Sequence, residues 1–451
     1  MHLLSRHLPP LIAAAALLGA GLGWGAEPDA ATAVPDTLDL KTAIGFALQN
    51  NYAIRQAREQ IRQQEGVEIT VRARQIPNLS AGGTYSGNAK DLSTYPPPDN
   101  DRFWSIDLQA SQVLYAGGGV SASVRSSDLA RQAAVLQLES VINAQLLAVR
   151  TQFYTVLLDR QQIQVQEENV NLLEQQLKDA QSRFAAGTTS NFEVLRAEVA
   201  LANGQPPLIQ ARNDYRVAIE QLRQLLGFAT VTSGPNVGKV PEFLGTLEAG
   251  APVTLQLADA LAAAQAHRPE LQQLGKLEQA AEENVTVNRA GYLPEVALVG
   301  GYTWQRGPVL AGWGTRVGGW TAGLQTSWNI FDGRATAGRV VQAKSQLEQA
   351  KLTLADTTLA IEVQVRQAYS SLTEAWELVQ ATSKSVEQAQ EALRLANVRY
   401  AAGTVTQLDV LTSQVALTQA RVNQLQAYYG YSVAQAAMRQ AMGESDEFVA
   451  H

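Results

Sequence analysis

The side chains that perform covalent, redox or metal chemistry are few in this sequence and do not converge. His2 and His7 lie near the start, His267 stands alone and His451 ends the chain. No cysteine is present, which excludes thiol catalysis, disulfide stapling, a Cys-based metal site and an acylated N-terminal cysteine. No P-loop, HExxH, CxxC or GxSxG pattern occurs. The acidic residues are dispersed along helix-like stretches, and a net charge of -7 without a basic run argues against a nucleic-acid surface. The expectation is no catalytic residue, no metal and no cofactor.

What does recur is a turn with one cation and one aromatic ring. Arg183-Phe184-Ala185-Ala186-Gly187-Thr188 returns as Arg399-Tyr400-Ala401-Ala402-Gly403-Thr404, 216 residues further on. At the same offset Leu195 meets Leu411, Val199 meets Val415, Gly227 meets Gly443 and Tyr115 meets Phe331. Upstream the offset is 217, aligning Leu40, Ala43, Ala47, Pro77 and Tyr85 with Leu257, Ala260, Ala264, Pro294 and Tyr302. Matches at nearly constant spacing through two halves identify a tandem duplication.

Each half reads as helix, strand, loop, strand, very long helix, tight turn and returning helix. The first repeat spans 27–227, with a helix at 38–74, strands near 78–86 and 103–114, a long helix at 119–185 and a return helix at 190–227. A linker at 228–254, rich in Gly, Pro and Thr, is expected to be irregular. The second repeat, 255–443, has a helix at 257–290, strands near 295–304 and 319–331, a long helix at 335–401 and a return helix at 406–442; a tail follows at 444–451. Ahead of these, Arg6, the apolar run Leu11 to Leu22 and the small residues around Gly25 and Ala26 predict a signal peptide at 1–26, with an anchor helix as the alternative.

The strands alternate one apolar and one small polar face. Leu79, Ala81, Gly83 and Tyr85 alternate with Ser80, Gly82, Thr84 and Ser86; Trp320, Ala322, Leu324, Thr326, Trp328 and Ile330 alternate with Thr321, Gly323, Gln325, Ser327 and Asn329. That pattern suits either a barrel between lipid and a wet lumen or a soluble sheet over a core. After the presumed signal no run of about eighteen apolar residues appears, so a membrane span has to be built from strands. Trp104, Trp304 and Trp320 fall near the loop-side strand ends, as an interfacial aromatic girdle requires. Four strands are too few to enclose a conducting lumen, so a conducting barrel needs several chains.

The long segments are rich in Ala, Gln, Leu, Val and Glu and free of proline. Rods of this length, roughly 100 Å at the helical rise, need lateral partners. Gly187 and Gly403 fit the left-handed position that ends a helix. Thr189 or Ser190, and Thr406, are the candidate caps of the returning helices. Pro206 and Pro207 predict a break or kink in the first return helix, where the second has Val422 and Asn423.

Together these features resemble the TolC-like outer-membrane efflux proteins over about residues 37–443. The most specific parts are the duplicated turns, followed by Phe192-Glu193-Val194-Leu195 and Leu408-Asp409-Val410-Leu411, and the strand-end phrases Val113 to Gly117 and Asn329 to Gly333. The resemblance implies a mostly α fold with membrane β-strands: a homotrimer whose chains each give four strands to one twelve-stranded β-barrel, continuous with a long periplasmic α-helical barrel. It implies an outer-membrane location with a large periplasmic portion, and partners that are a periplasmic adaptor protein and an inner-membrane RND or ABC-type pump. Arg183, Phe184, Gly187, Thr188, Arg399, Tyr400, Gly403 and Thr404 would form the adaptor-docking tips. Asp409 would form an acidic ring at a periplasmic gate, its carboxyl pKa raised by its like-charged neighbours. Tyr400 keeps the aromatic gate position, whereas Thr412 and Val405 replace an acidic and a basic one; a single ring with looser closure follows.

The function implied is passive conduction of substrates from adaptor and pump to the exterior, in small-molecule efflux or type I protein secretion. Two other classes share parts of the pattern. A general porin has no use for two rods of this length, and a periplasmic structural coiled coil has none for amphipathic strands with aromatic ends.

Overall fold

The computed structural model describes residues 35–87, 102–228, 240–306 and 316–444. The expected signal peptide, nearly all of the polar loop at 87–102, part of the linker and the tail beyond Glu444 lie outside the described residues.

Strands β2 (Asn78–Gly87), β3 (Arg102–Ala116), β5 (Glu295–Arg306) and β6 (Arg316–Ser327) form one antiparallel sheet in the order β2-β3-β5-β6. The two hairpins have equivalent registers: Tyr85 lies opposite Trp104, and Tyr302 opposite Trp320. Because side chains alternate along a strand, this register gathers Leu79, Tyr85, Ile106, Leu108, Tyr302, Trp304, Trp320 and Leu324 onto one face, all exposed. The opposite face carries Ser80, Thr84, Ser105, Asp107, Gln109, Thr303, Thr321 and Gln325. There the Thr84 and Ser105 hydroxyls are 2.6 Å apart, and Ser105 donates to Asp107 at 3.1 Å. β6 was expected to reach residue 331 but ends at Ser327, because its ladder partner begins at Glu295, directly after Pro294. Trp328 instead donates its indole N–H to the Tyr292 carbonyl.

Long helices α3 (Gly119–Ala185) and α7 (Ala335–Ala401) have 67 residues each. Return helices α4 (Asn191–Leu226) and α8 (Gln407–Met442) double back on them. On α4 the buried residues Val194, Ala197, Gly204, Leu208, Ala211 and Ala218 fall at coiled-coil spacing along one stripe. Of the break or kink expected at Pro206 and Pro207, the break does not occur: α4 runs through both prolines. Both prolines are exposed, as are Ala202 and Asn203, whose carbonyls they leave without a helical N–H. Burial of Leu208, Ala211 and Ala218 on the other side holds the helix together.

The helices expected at 38–74 and 257–290 are each broken in two. The pieces are α1 (Leu40–Asn50) and α2 (Tyr52–Arg72), then α5 (Leu257–His267) and α6 (Pro269–Arg289). The break residues, Asn51 and Arg268, are extended. Arg268 precedes a proline, which disfavours the helical conformation. Asn51 caps α2 by accepting the Ala53 and Ile54 N–H groups. Both also clasp the return helix of their own repeat. Asn51 donates to the Leu225 carbonyl at 2.7 Å and to Gln145; Arg268 donates to the Gln440 carbonyl at 3.0 Å and to Gln364. Gly227 and Gly443, in left-handed conformation, press against the backbone of Asn50 and His267, where a Cβ would come within 2.3 and 2.8 Å.

Two cores sit at this mid-height and are related by the duplication. One contains Ala43, Val149, Val156, Leu222 and Leu226; the other contains Ala260, Val365, Leu372, Met438 and Met442. The linker is not wholly irregular: β4 (Glu242–Phe243) pairs in parallel with β1 (Thr37–Leu38), and Phe243 and Leu247 are buried in the first core.

Candidate functional site: the helical tips and the amphipathic sheet

Both tip turns have the same geometry. Gly187 and Gly403 each have φ +71°, a conformation that costs a Cβ-bearing residue roughly 1 kcal/mol or more. The next N–H returns to the long helix, Thr188 to the Arg183 carbonyl and Thr404 to the Arg399 carbonyl, both at 2.9 Å. The two threonine hydroxyls donate to those same carbonyls at 3.0 and 3.1 Å. These threonines, both exposed, therefore close the turns. Phe184 is 47% exposed.

The tips of the two repeats also touch each other. The Arg183 guanidinium lies 4.8 Å from the centre of the Tyr400 ring. Gln407, 5% exposed and first in α8, donates its amide to the Glu193 carboxylate in the orientation that satisfies both amide atoms. Further up the rods a polar seam joins α3 to α8: Gln414 is 2% exposed and donates to Asn169, which also accepts from Thr418 at 3.2 Å. None of these contacts has a short-range sequence signal, since the partners are more than two hundred residues apart.

The expected gate residues are placed individually rather than joined by hydrogen bonds. The exposed Asp409 carboxylate accepts the Thr406 N–H at 2.8 Å and the Thr406 hydroxyl at 2.7 Å, closing a capping box at the start of α8. Those two bonds hold its carboxyl below the usual aspartate range, helped by the Arg399 charge. Within one chain the shift thus runs opposite to that expected of an acidic ring. Tyr400 lies under Arg183, and Thr412 donates back to the Leu408 carbonyl. Trp104, Trp304 and Trp320 all fall on the apolar face, toward the ends of the strands farthest from the rods. Tyr302 packs edge-on against Trp304 at 5.8 Å.

Among the described residues no helix is long and apolar enough to cross a membrane, and no group of three potential metal-ligating side chains occurs. A sheet with one apolar and one hydroxyl-rich face, continuous with two rods of roughly 100 Å, marks the class: a membrane channel protein with a long helical extension. The family model of outer membrane efflux proteins matches residues 43–228 and 260–444, one match for each repeat, and the chain belongs to that family. It is 25% identical over 443 residues to the outer membrane efflux protein BepC of Brucella suis, covering 96% of this chain and 90% of that protein. It is also 25% identical over 292 residues to the alkaline protease secretion protein AprF of Pseudomonas aeruginosa, covering 64% and 60%. A crystal structure of CusC superposes with a TM-score of 0.77 at 19% identity, covering 91% of this chain and 94% of that one. The chain is a channel protein of the outer membrane with a large periplasmic extension, working in export with a periplasmic adaptor and an inner-membrane pump, and it is not an enzyme.

Proposed function

We propose that three copies assemble into one twelve-stranded barrel standing on a closed helical tube, and that this trimer conducts pump substrates out of the periplasm. The observation that carries the reading is the sheet's pair of open edges. Among the described residues β2 and β6 each have a partner on one side only, and unpaired backbone groups are not tolerated facing lipid. The duplication supplies the missing partner. Within the chain Leu108 pairs with Tyr302; shifted by one repeat, the same step puts Leu324 opposite Tyr85 of the partner subunit.

The barrel–tube junction supports the same step. Gly117 is wedged against Leu293 and Ala290, where a Cβ would come within 2.9 Å, whereas the equivalent Gly333 faces open space. The equivalents of Leu293 and Ala290 are Ile76 and Ala73, and Ile76 is 63% exposed. A second copy fills that gap.

In this assembly the apolar sheet face meets lipid, and Trp104, Trp304 and Trp320 form the girdle at its outer rim. The hydroxyl-rich face lines the lumen. Arg183, Phe184, Thr188, Arg399 and Thr404 present the adaptor-docking surface, on turns shaped by Gly187 and Gly403. Asp409, with Tyr400 and Thr412 beside the same turn, gives one acidic ring at the periplasmic mouth, which favours cations. The pump is of the RND or ABC type, and efflux is the leading role, because the relative named for efflux matches nearly the whole chain. Planar-bilayer recording tests this: the purified protein should conduct with cation preference, and Asp409→Asn should lose that preference. An unchanged preference would remove Asp409 from the gate; absence of conductance would reject the duct.

A further inference from the structure

At the strand ends farthest from the rods, the apolar face of the sheet carries arginine. The register sets Arg306 of β5 opposite Arg316 of β6 on one side and opposite Trp104 of β3 on the other. Two residues beyond Trp104 comes Arg102, opposite Gly87. Because side chains alternate along a strand, all three arginine positions share the face of Trp104, Trp304 and Trp320, level with the outermost of those rings or beyond it. Like charges directly opposite each other destabilise a sheet. The hairpin itself does not need them: by the duplication Arg306 and Arg316 correspond to Ala89 and Asn100, and Arg102 corresponds to Gly318.

Donors gather around Arg306. Its Nε is buried and has no hydrogen-bond partner among the described residues. A Cβ at Gly318 would stand 3.0 Å from the Trp304 Nε1 and 3.0 Å from the Tyr302 hydroxyl, so a glycine here leaves an N–H and an O–H aimed at one spot, two residues short of Arg316. The connection from β5 to β6, residues 307–315, carries no charged residue. The geometry points to a lipid-phosphate site: Arg306, with Trp304 and Tyr302 beside it and Arg102 and Arg316 adding charge from the neighbouring strands, binds a phosphate of an outer-leaflet glycolipid. Placement selects this ligand. The face is the lipid-facing one in the barrel reading above, on which the inference rests, and the level is that of headgroups at the aromatic girdle. Phosphate is the anion that outer-leaflet glycolipid presents there, and an arginine fork matches its oxygens bidentately. Indole and phenol add neutral donors while their rings stay in apolar surroundings.

Native mass spectrometry of the delipidated protein in detergent, titrated with bis-phosphorylated lipid A, tests the site. The parent should take up one lipid per chain. Arg306→Gln with Arg316→Gln should weaken uptake at least about tenfold. Gly318→Ala alters no charge but fills the space shared by Trp304 and Tyr302, and should weaken it too. Arg74→Gln, at the rod end of the sheet, should bind as the parent does. Parent-like binding by the double variant or by Gly318→Ala would overturn the proposal; for the double variant, that is the result expected if Asp99 or Asp101 neutralises these arginines instead. Equal uptake of dephosphorylated lipid A, or its bis-phosphorylated form being displaced by an equal concentration of inorganic phosphate, would overturn it as well. The same spectra report particle mass. Particles that are not trimers would bring down the barrel reading, whereas trimers whose lipid uptake ignores the arginines would leave that reading standing and reject this site alone.

Discussion

The Asp409 carboxylate accepts both the backbone N–H and the hydroxyl of Thr406, so the residue expected to gate the channel is also the cap of the helix that follows the tip. The two roles are separable by pH. Because its folded-state pKa is depressed, the cap's contribution is fully present above the ordinary aspartate value of 3.8 and is lost only as pH falls through the lower folded value. Asp409→Ala should therefore speed hydrogen exchange over the first turn of α8 at neutral pH, and the unaltered protein should show the same fraying only in stronger acid. Equal protection in the two proteins at neutral pH would show that the cap contributes nothing.

The Asn51 clasp gives a second expectation. Its side chain satisfies two N–H groups of α2 and reaches the Leu225 carbonyl, at a site 4% exposed. Asn51→Ala removes a cap and leaves a partly buried carbonyl without its donor, at a cost of about 2 kcal/mol. Hydrogen exchange at Ala53 and Ile54 reads this locally. Protection unchanged from the parent protein would mean that the break between α1 and α2 is held by packing alone.

Asp159 lies on α3 at mid-height, 8% exposed. Burial, and next the Asp214 charge, push its pKa up to about 6 from 3.8. A raised carboxylate pKa means that the folded state holds the proton more tightly, so stability falls as pH rises from about 4 through about 6. Asp159→Asn should be the more stable protein at pH 7.5, by up to about 3 kcal/mol, and should lose that slope. Parallel melting-temperature profiles for the two proteins between pH 4 and pH 8 would refute the assignment.

The duplicated turns, the alternating strands and both 67-residue rods were legible from sequence, because each rests on local rules: helix propensity, period-two alternation and glycine at a left-handed position. The helix breaks at Asn51 and Arg268 were missed, although Arg268-Pro269 carries a local signal; the clasps to Leu225 and Gln440 that accompany them arise from tertiary structure. Pro206 and Pro207 misled for the converse reason, since a stripe buried on α3 outweighed a local rule. At the tip, Thr406 was legible as a cap, and Thr406-x-x-Asp409 is a recognisable capping box. The Arg183–Tyr400 and Gln407–Glu193 contacts were not, because they depend on how two repeats sit side by side.

Single-particle imaging of the detergent-extracted protein decides whether one chain is a third of a barrel continuous with a helical tube. Three-fold symmetric particles with a short membrane band and a tube projecting roughly 100 Å from one side are expected. A barrel without the tube, or rods lacking a membrane band, would contradict that arrangement.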